Sequence, residues 1–171
     1  MNDESTERLT LLVQSIAERS DMLLLTDQPQ TLLAQLRTTN SPPPGQIDAL
    51  ATTDVAADMS ILGDRRWPLV CLLEPDIDKP CLIRLLARIR DLHADRVIHI
   101  SNTRINNTCG WALADSLALG FSQIVKSVIA EQLDESELQI FEFDIRNYKP
   151  APDWLNAKNW ANPERWDKHR W

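Results

Sequence analysis

PLVCLLEPDIDKPCLIRLLARIRDLHADRVIHI, residues 68–100, decides the fold. Pro68 bounds an unbroken apolar run, Leu69 to Leu73, which suits a strand buried on both faces and is far too short to cross a membrane. The run breaks at Glu74-Pro75-Asp76-Ile77-Asp78. Asp78 then stands where a helix cap belongs, with Pro80 tolerated in the first turn. Leu82, Leu85, Leu86 and Ile89 recur at i, i+3, i+4 and i+7, with Arg84, Arg88 and Arg90 on the wet side, so an amphipathic helix follows. Val97-Ile98-His99-Ile100 is the next strand. Strand, helix and strand within about thirty residues make one parallel βαβ unit, and the chain is therefore expected to be α/β with a mostly parallel sheet.

Upstream, Leu9, Leu12, Val13 and Ile16 lie at helical spacing within residues 5–19. Met22-Leu23-Leu24-Leu25 is a second continuous apolar run, ending at Thr26-Asp27-Gln28-Pro29, where Asp27 can cap a helix with Leu32, Leu33 and Leu36 on its inner face. Ser41-Pro42-Pro43-Pro44-Gly45 is a loop, because three prolines cannot continue a helix. Ile47 to Ala51 is expected as a strand and Val55 to Leu62 as one short helix. Downstream, Ser101 to Gly110 is expected as a polar loop, and Trp111 to Leu119 as a helix stopped by Gly120. Phe121 to Ile129 and Leu138 to Ile145, separated by a turn at 131–136, are expected as an antiparallel pair at one sheet edge. Residues 1–146 form the α/β unit on this reading, and 147–171 a tail packed on it.

The tail holds Trp154, Trp160, Trp166 and Trp171, interleaved with Lys149, Lys158, Arg165, Lys168 and Arg170. From Arg146 onward six Lys/Arg face three Asp/Glu, a surplus of +3 within a net charge of −7, which leaves −10 on the remainder. Tryptophans six residues apart step about 240° around a helix and cannot form one stripe. The indoles either pin the tail to its own domain or, with the basic residues, offer a surface to a protein or nucleic-acid partner, Trp160, Arg165, Trp166 and Lys168 being the candidates.

An acidic chain opposes non-specific attraction to nucleic-acid backbones and anionic lipid. No run approaches a membrane span, and the opening MNDESTERLT has no basic flank or apolar core, so a cytoplasmic protein with no membrane partner is expected. Cys71, Cys81 and Cys109 are too few and too scattered for a disulfide framework or zinc ribbon and read as reduced thiols. His93, His99 and His169 carry no metal motif, and no metal site is expected. His99, alternating with isoleucines, reads as a hydrogen-bonded core residue. No nucleophile motif surrounds the serines or cysteines.

Ligands in open α/β sheets sit beyond the carboxyl ends of strands, which directs attention to Asp27, Asp54, Glu74 and Ser101. Asp54 can accept from a ribose, and Asp27, Glu74 and Asp76 can form an oxygen-rich magnesium site. Their plainer roles are helix caps and solvated loop carboxylates. The polar loop after the βαβ unit combines Asn102, Arg104, Asn106, Asn107 and Cys109, of which Asn102 and Arg104 are the foremost candidate ligand contacts.

NYKPAPDWLNAKNWANPERWDKHRW, residues 147–171, resembles the closing signature of a small family of uncharacterised proteobacterial proteins. The layout of parallel strands, then Leu119-Gly120-Phe121 and a final antiparallel pair, is similar to class I S-adenosylmethionine-dependent methyltransferases. That resemblance implies a Rossmann-like three-layer sandwich and S-adenosylmethionine as cofactor, held by Asp27, Asp54 and Glu74. Where those enzymes carry a glycine-rich loop, this chain has LLLTDQPQ; where they carry an Asp/Asn-Pro-Pro-aromatic motif, it has Glu74-Pro75-Asp76-Ile77. With four glycines in all and none in a G-x-G, the first expectation is a non-catalytic binding or adaptor protein without cofactor. A small methyltransferase and a nucleic-acid accessory protein are the alternatives.

Overall fold

The computed structural model describes residues 13, 21–38, 45–73, 75–124 and 138–147. They form a six-stranded, mostly parallel sheet with helices on both faces, the Rossmann-like three-layer arrangement expected from the sequence. In chain order the elements are β1 (Met22–Thr26), α1 (Pro29–Thr38), β2 (Ile47–Ala51), α2 (Thr52–Ala57), β3 (Trp67–Leu73), α3 (Lys79–Arg88), β4 (Ala94–Asn102), α4 (Thr103–Cys109), α5 (Leu113–Ala118), β5 (Ser122–Gln123) and β6 (Leu138–Asp144). Across the sheet the strands run β2-β1-β3-β4-β6-β5. The first four are parallel, and β6 and β5 close one edge antiparallel.

Continuous apolar runs become the inner strands because a strand covered on both faces has no wet side to reserve for polar residues. All five residues of β1 are buried, with Leu24 beside Ala49 of β2 and Cys71 of β3. Alternation along each strand divides the core in two. Leu23, Leu25, Val70, Leu72, Val97, Phe141 and Phe143 face Leu82, Leu85, Leu86 and Ile89 of α3 and its extension. Met22, Leu24, Cys71, Leu73, Ile98 and Ile100 face Leu32 and Leu36 of α1, together with Val13. Val13 alone represents the helix expected over 5–19; the rest of it lies outside the described residues.

Several expectations need correction. The single helix expected over 55–62 is α2 followed by a 3₁₀ turn, Met59–Leu62, capped where the Asp58 carboxylate accepts from the Ser60 N–H at 2.9 Å. Asp78 occupies the cap position of α3, but its side chain makes no capping bond, and the extended Asp78 backbone and Pro80 start the helix. α3 ends in a π turn, Ile89–His93, and β4 begins at Ala94, three residues before the apolar run that announced it. Ser101 to Gly110 is β4's last two residues and helix α4, not a loop. Asn106 holds α4 in place by donating from Nδ2 to Ser101 Oγ at 3.1 Å and to Gln139 Oε1 at 3.2 Å, and a partner 33 residues away leaves no local signal.

At the amino ends of the strands, Asp48 ties β2 to β3. Its carboxylate accepts from Trp67 Nε1 at 2.9 Å and pairs with Arg65, whose guanidinium lies over the Trp67 ring at 4.7 Å. Desolvation works to raise this carboxyl, but the bonds from Trp67 and Arg65 outweigh it and hold it below its ordinary range. Asp48→Ala leaves the buried Trp67 without its acceptor and is expected to cost about 1 kcal/mol. An unchanged urea midpoint would show that the indole N–H finds another acceptor.

Candidate functional site

The strand order reverses at β1: the chain steps outward to β2 on one side, then returns to β3 on the other. The loops leaving β1 and β3 therefore diverge from a crevice at the carboxyl ends, where open α/β sheets place their ligands. Thr26, the last residue of β1, is buried, and its Oγ1 accepts weakly from the Gln28 N–H at 3.5 Å. Asp27 follows at the exposed rim. The Asp76 backbone and carboxylate both act on its carboxyl, so the loops leaving β1 and β3 approach each other across the switch point. Desolvation raises the Asp27 carboxyl above its ordinary range; the Asp76 amide works against the rise and the Asp76 charge adds to it. Pro75 is buried in the same loop. At the neighbouring end of β2, Thr52 is fully buried and its Oγ1 has no hydrogen-bond partner among the described residues.

A second polar group lies at the end of β4. Ser101 and Asn106 are buried and bonded to each other and, through Asn106, to Gln139 of β6. Two residues before Ser101, on the same face, His99 is fully buried with Leu72 and Phe141 beside it on the adjacent strands. Trp111 meets its ring edge-on, with centroids 5.7 Å apart at 85°, and Phe141 lies 5.9 Å away at 30°. His99 is thus the core residue expected, but not a hydrogen-bonded one, for neither ring nitrogen has a partner among the described residues. Burial alone depresses its pKa to about 3, which keeps the imidazole neutral. An unpaired buried polar group of this kind costs about 1–3 kcal/mol, so the position is not chosen for stability.

Of the residues singled out in the sequence, Asp27 stands in the crevice and Asn102 ends β4. Asp54 lies in the first turn of α2, exposed, because the helix begins at Thr52 and carries Asp54 three residues past the end of β2. Arg104 is placed in α4 by its backbone, its side chain lying outside what is described. Glu74, Trp160, Arg165, Trp166 and Lys168 lie outside the described residues, as does most of the tail. Among the described residues no three His, Cys, Asp or Glu side chains are grouped to hold a metal, and no helix is long and apolar enough to cross a membrane. The reading of single residues missed Thr52 and Gln139. Their one visible sign is a polar residue closing an apolar strand, as Thr26 and Ser101 do.

The resemblance read from the sequence implies S-adenosylmethionine as a cofactor, and the crevice does not suit it in the usual manner. Asp27 and Gln28 alone join β1 to α1, and both carry side chains where a close backbone approach needs glycine. The glycines with positive φ are elsewhere: Gly63 before β3, and Gly110 and Gly120 on either side of α5. β2 ends in Ala51, which has nothing to offer a ribose.

Residues 3–171 match a family described as "Family of unknown function (DUF6231)". No curated protein matches. Among solved structures, the chain is similar to a cyclopropane-fatty-acyl-phospholipid synthase-like protein from Lactobacillus casei ATCC 334, with a TM-score of 0.42 and 10% identity over 57% of this chain and 48% of that one. It is also similar to a ribosomal protein L11 methylase from Lactobacillus delbrueckii subsp. bulgaricus, with a TM-score of 0.47 and 11% identity over 84% of this chain and 80% of that one. The chain thus spans about half the length of the first, at 48%.

Proposed function

The chain belongs to this family of unknown function, and we propose that it is a non-catalytic binding protein on a methyltransferase-like sheet, holding a small, donor-rich ligand in the crevice between β1 and β3. The observation that carries this reading is the placement of Asp27 and Asp76 across the switch point, near enough for the Asp76 backbone and charge to act on the Asp27 carboxyl. It puts carboxylates and buried hydroxyls where a nucleotide-binding sheet needs bare backbone. Two neighbouring carboxylates repel a phosphate and favour an amine or a polyol, because a positive charge or a hydroxyl donor relieves their mutual repulsion. Thr26, immediately before Asp27, adds a buried hydroxyl at the end of β1.

Calorimetry with S-adenosylmethionine is expected to show no saturable micromolar binding. Micromolar binding lost in Asp54→Ala would overturn the proposal and return the chain to the methyltransferases. Putrescine, as a probe amine, is expected to raise the melting temperature of the native protein and to lose that effect in Asp27→Asn. An equal shift in both proteins would place amine binding away from the crevice.

A further inference from the structure

We propose that the segment between Gly110 and Gly120 is a lid over a second binding site, at the end of β4, which takes a planar heteroaromatic ring and which Trp111 fills when the lid is shut. The floor of this site is His99. Leu72 and Phe141 flank it on the neighbouring strands, so an apolar side chain would pack there without stranding two ring nitrogens. Ser101 lies one pleat further along the same face, with Gln139 opposite it and Asn106 bonded to both. A flat ring displacing Trp111 would therefore meet the Phe141 ring beside a neutral imidazole that can donate at one nitrogen and accept at the other. The ligand class that fits is an aromatic heterocycle about the size of an indole, with a ring N–H and a ring nitrogen acceptor.

The lid is built to move as a unit. Its own polar needs are met internally: Trp111 Nε1 donates to Ser116 Oγ at 3.1 Å, and the Ala112 N–H to the Asp115 carboxylate at 2.8 Å. Lifting it breaks neither bond, and neither bond ties it to the sheet. α5 buries only Ser116 and leaves Leu113 and Leu117 exposed, so the segment is held by apolar contact at its two ends, through the Trp111 ring and Leu119. Among the described residues, the Phe121 N–H donates to the Ser116 carbonyl at 3.0 Å. Lys79 pairs with Asp115 at 2.7 Å and donates to the Gly110 carbonyl at 3.2 Å, the Trp111 N–H donates to the Asn106 carbonyl at 2.9 Å, and Arg90 donates to the Leu119 carbonyl at 2.5 Å. Gly110 and Gly120 sit at φ +72° and +82°, conformations that other residues resist and that suit the two ends of a hinged segment. A segment with few buried apolar contacts opens before the sheet does.

The test uses full-length protein and benzimidazole as the probe ring. In native-state hydrogen exchange, amides of residues 113–121 are expected to exchange at least about 100-fold faster than those of β4. Benzimidazole is expected to move the ring ¹⁵N signals of His99, assigned among the three histidines with His99→Leu, and to bind more tightly to Trp111→Phe, where the plug is smaller. Binding should fall at least tenfold in His99→Leu and persist in Asp27→Asn, which separates this site from the crevice. Lid amides that exchange together with β4 would overturn the proposal. So would His99 signals that ignore benzimidazole in both the native protein and Trp111→Phe, the result expected if an internal water satisfies the imidazole.

Discussion

Acidification from pH 6.5 toward pH 3 is expected to remove about 5 kcal/mol of stability through His99 alone, and His99→Leu to abolish that loss. The sign follows from burial. The imidazole titrates near 6.5 when unfolded but only at about 3 when enclosed by Trp111 and Phe141, so below pH 6.5 the unfolded chain takes up a proton that the native state refuses. The contribution is complete above the unfolded value and is lost progressively as pH falls to the folded one. Each pH unit in that window costs up to about 1.4 kcal/mol, against a typical total of about 5–15 kcal/mol for a domain. Other groups titrate as well. Asp48 and Asp144 are held low by their partners and add to acid lability below the carboxylate range, while Asp27, held high, works the other way. All are common to both proteins, so the difference between native and His99→Leu isolates the imidazole. Urea midpoints between pH 7 and 4.5 read it directly. At pH 7 the variant is expected to be at least as stable as the native protein, since it removes two unpaired nitrogens. Parallel pH profiles would mean that the ring is hydrated in the native state.

Phe141→Ala is expected to cost about 3–5 kcal/mol, the usual penalty for emptying a fully buried aromatic site. Phe141 sits on the first antiparallel strand, between His99 of β4 and Gln123 of β5. Truncation therefore loosens the seam where the parallel sheet meets its antiparallel edge. It also unseals His99, so the imidazole should titrate closer to its ordinary value and the stability profile should flatten between pH 6.5 and 4.5. The two effects are coupled. In a double-mutant cycle with His99→Leu, the costs are expected to depart from additivity at pH 5 more than at pH 7, and equal coupling at both would separate Phe141 from the proton.

The parallel half of this fold is legible because its signals are local. Leu69 to Leu73 and Met22 to Leu25 are apolar runs bounded by prolines and acidic turns, and Leu82, Leu85, Leu86 and Ile89 mark one helix face without help from elsewhere. Where long-range partners decide, single-sequence reading fails. Thr103-Arg104-Ile105-Asn106-Asn107-Thr108-Cys109 has neither helix propensity nor apolar period, and its helix depends on Asn106 finding Ser101 and Gln139. The start of β4 is hidden by Asp95 and Arg96, which are strand residues because Arg66 holds the first and Glu142 the second, each in another strand or its approach. The crevice is half legible. Thr26 and Asp27 announce the end of β1, but nothing nearby reveals that Asp76 returns to the neighbourhood of Asp27 or that the helix after β2 starts early enough to carry Asp54 away. The unpartnered state of His99 is invisible in sequence, where a histidine between isoleucines reads as any core histidine.

The position of β6 has a consequence for how the chain is made. Its partner β4 is complete at Asn102, and β6 begins only at Leu138, so 35 residues must be added before the two can pair. At a ribosome's pace of about 5–20 residues per second, β4 stands as an open margin of the nascent sheet for about 2–7 s, presenting Val97, Ile98 and Ile100 with unpaired backbone. Successive chains on the same messenger each pass through this stage, and unpaired strand edges recruit one another. Asp95 and Arg96, the charged pair that begins β4, are the guard this margin carries until Glu142 is synthesised and takes Arg96 as its partner.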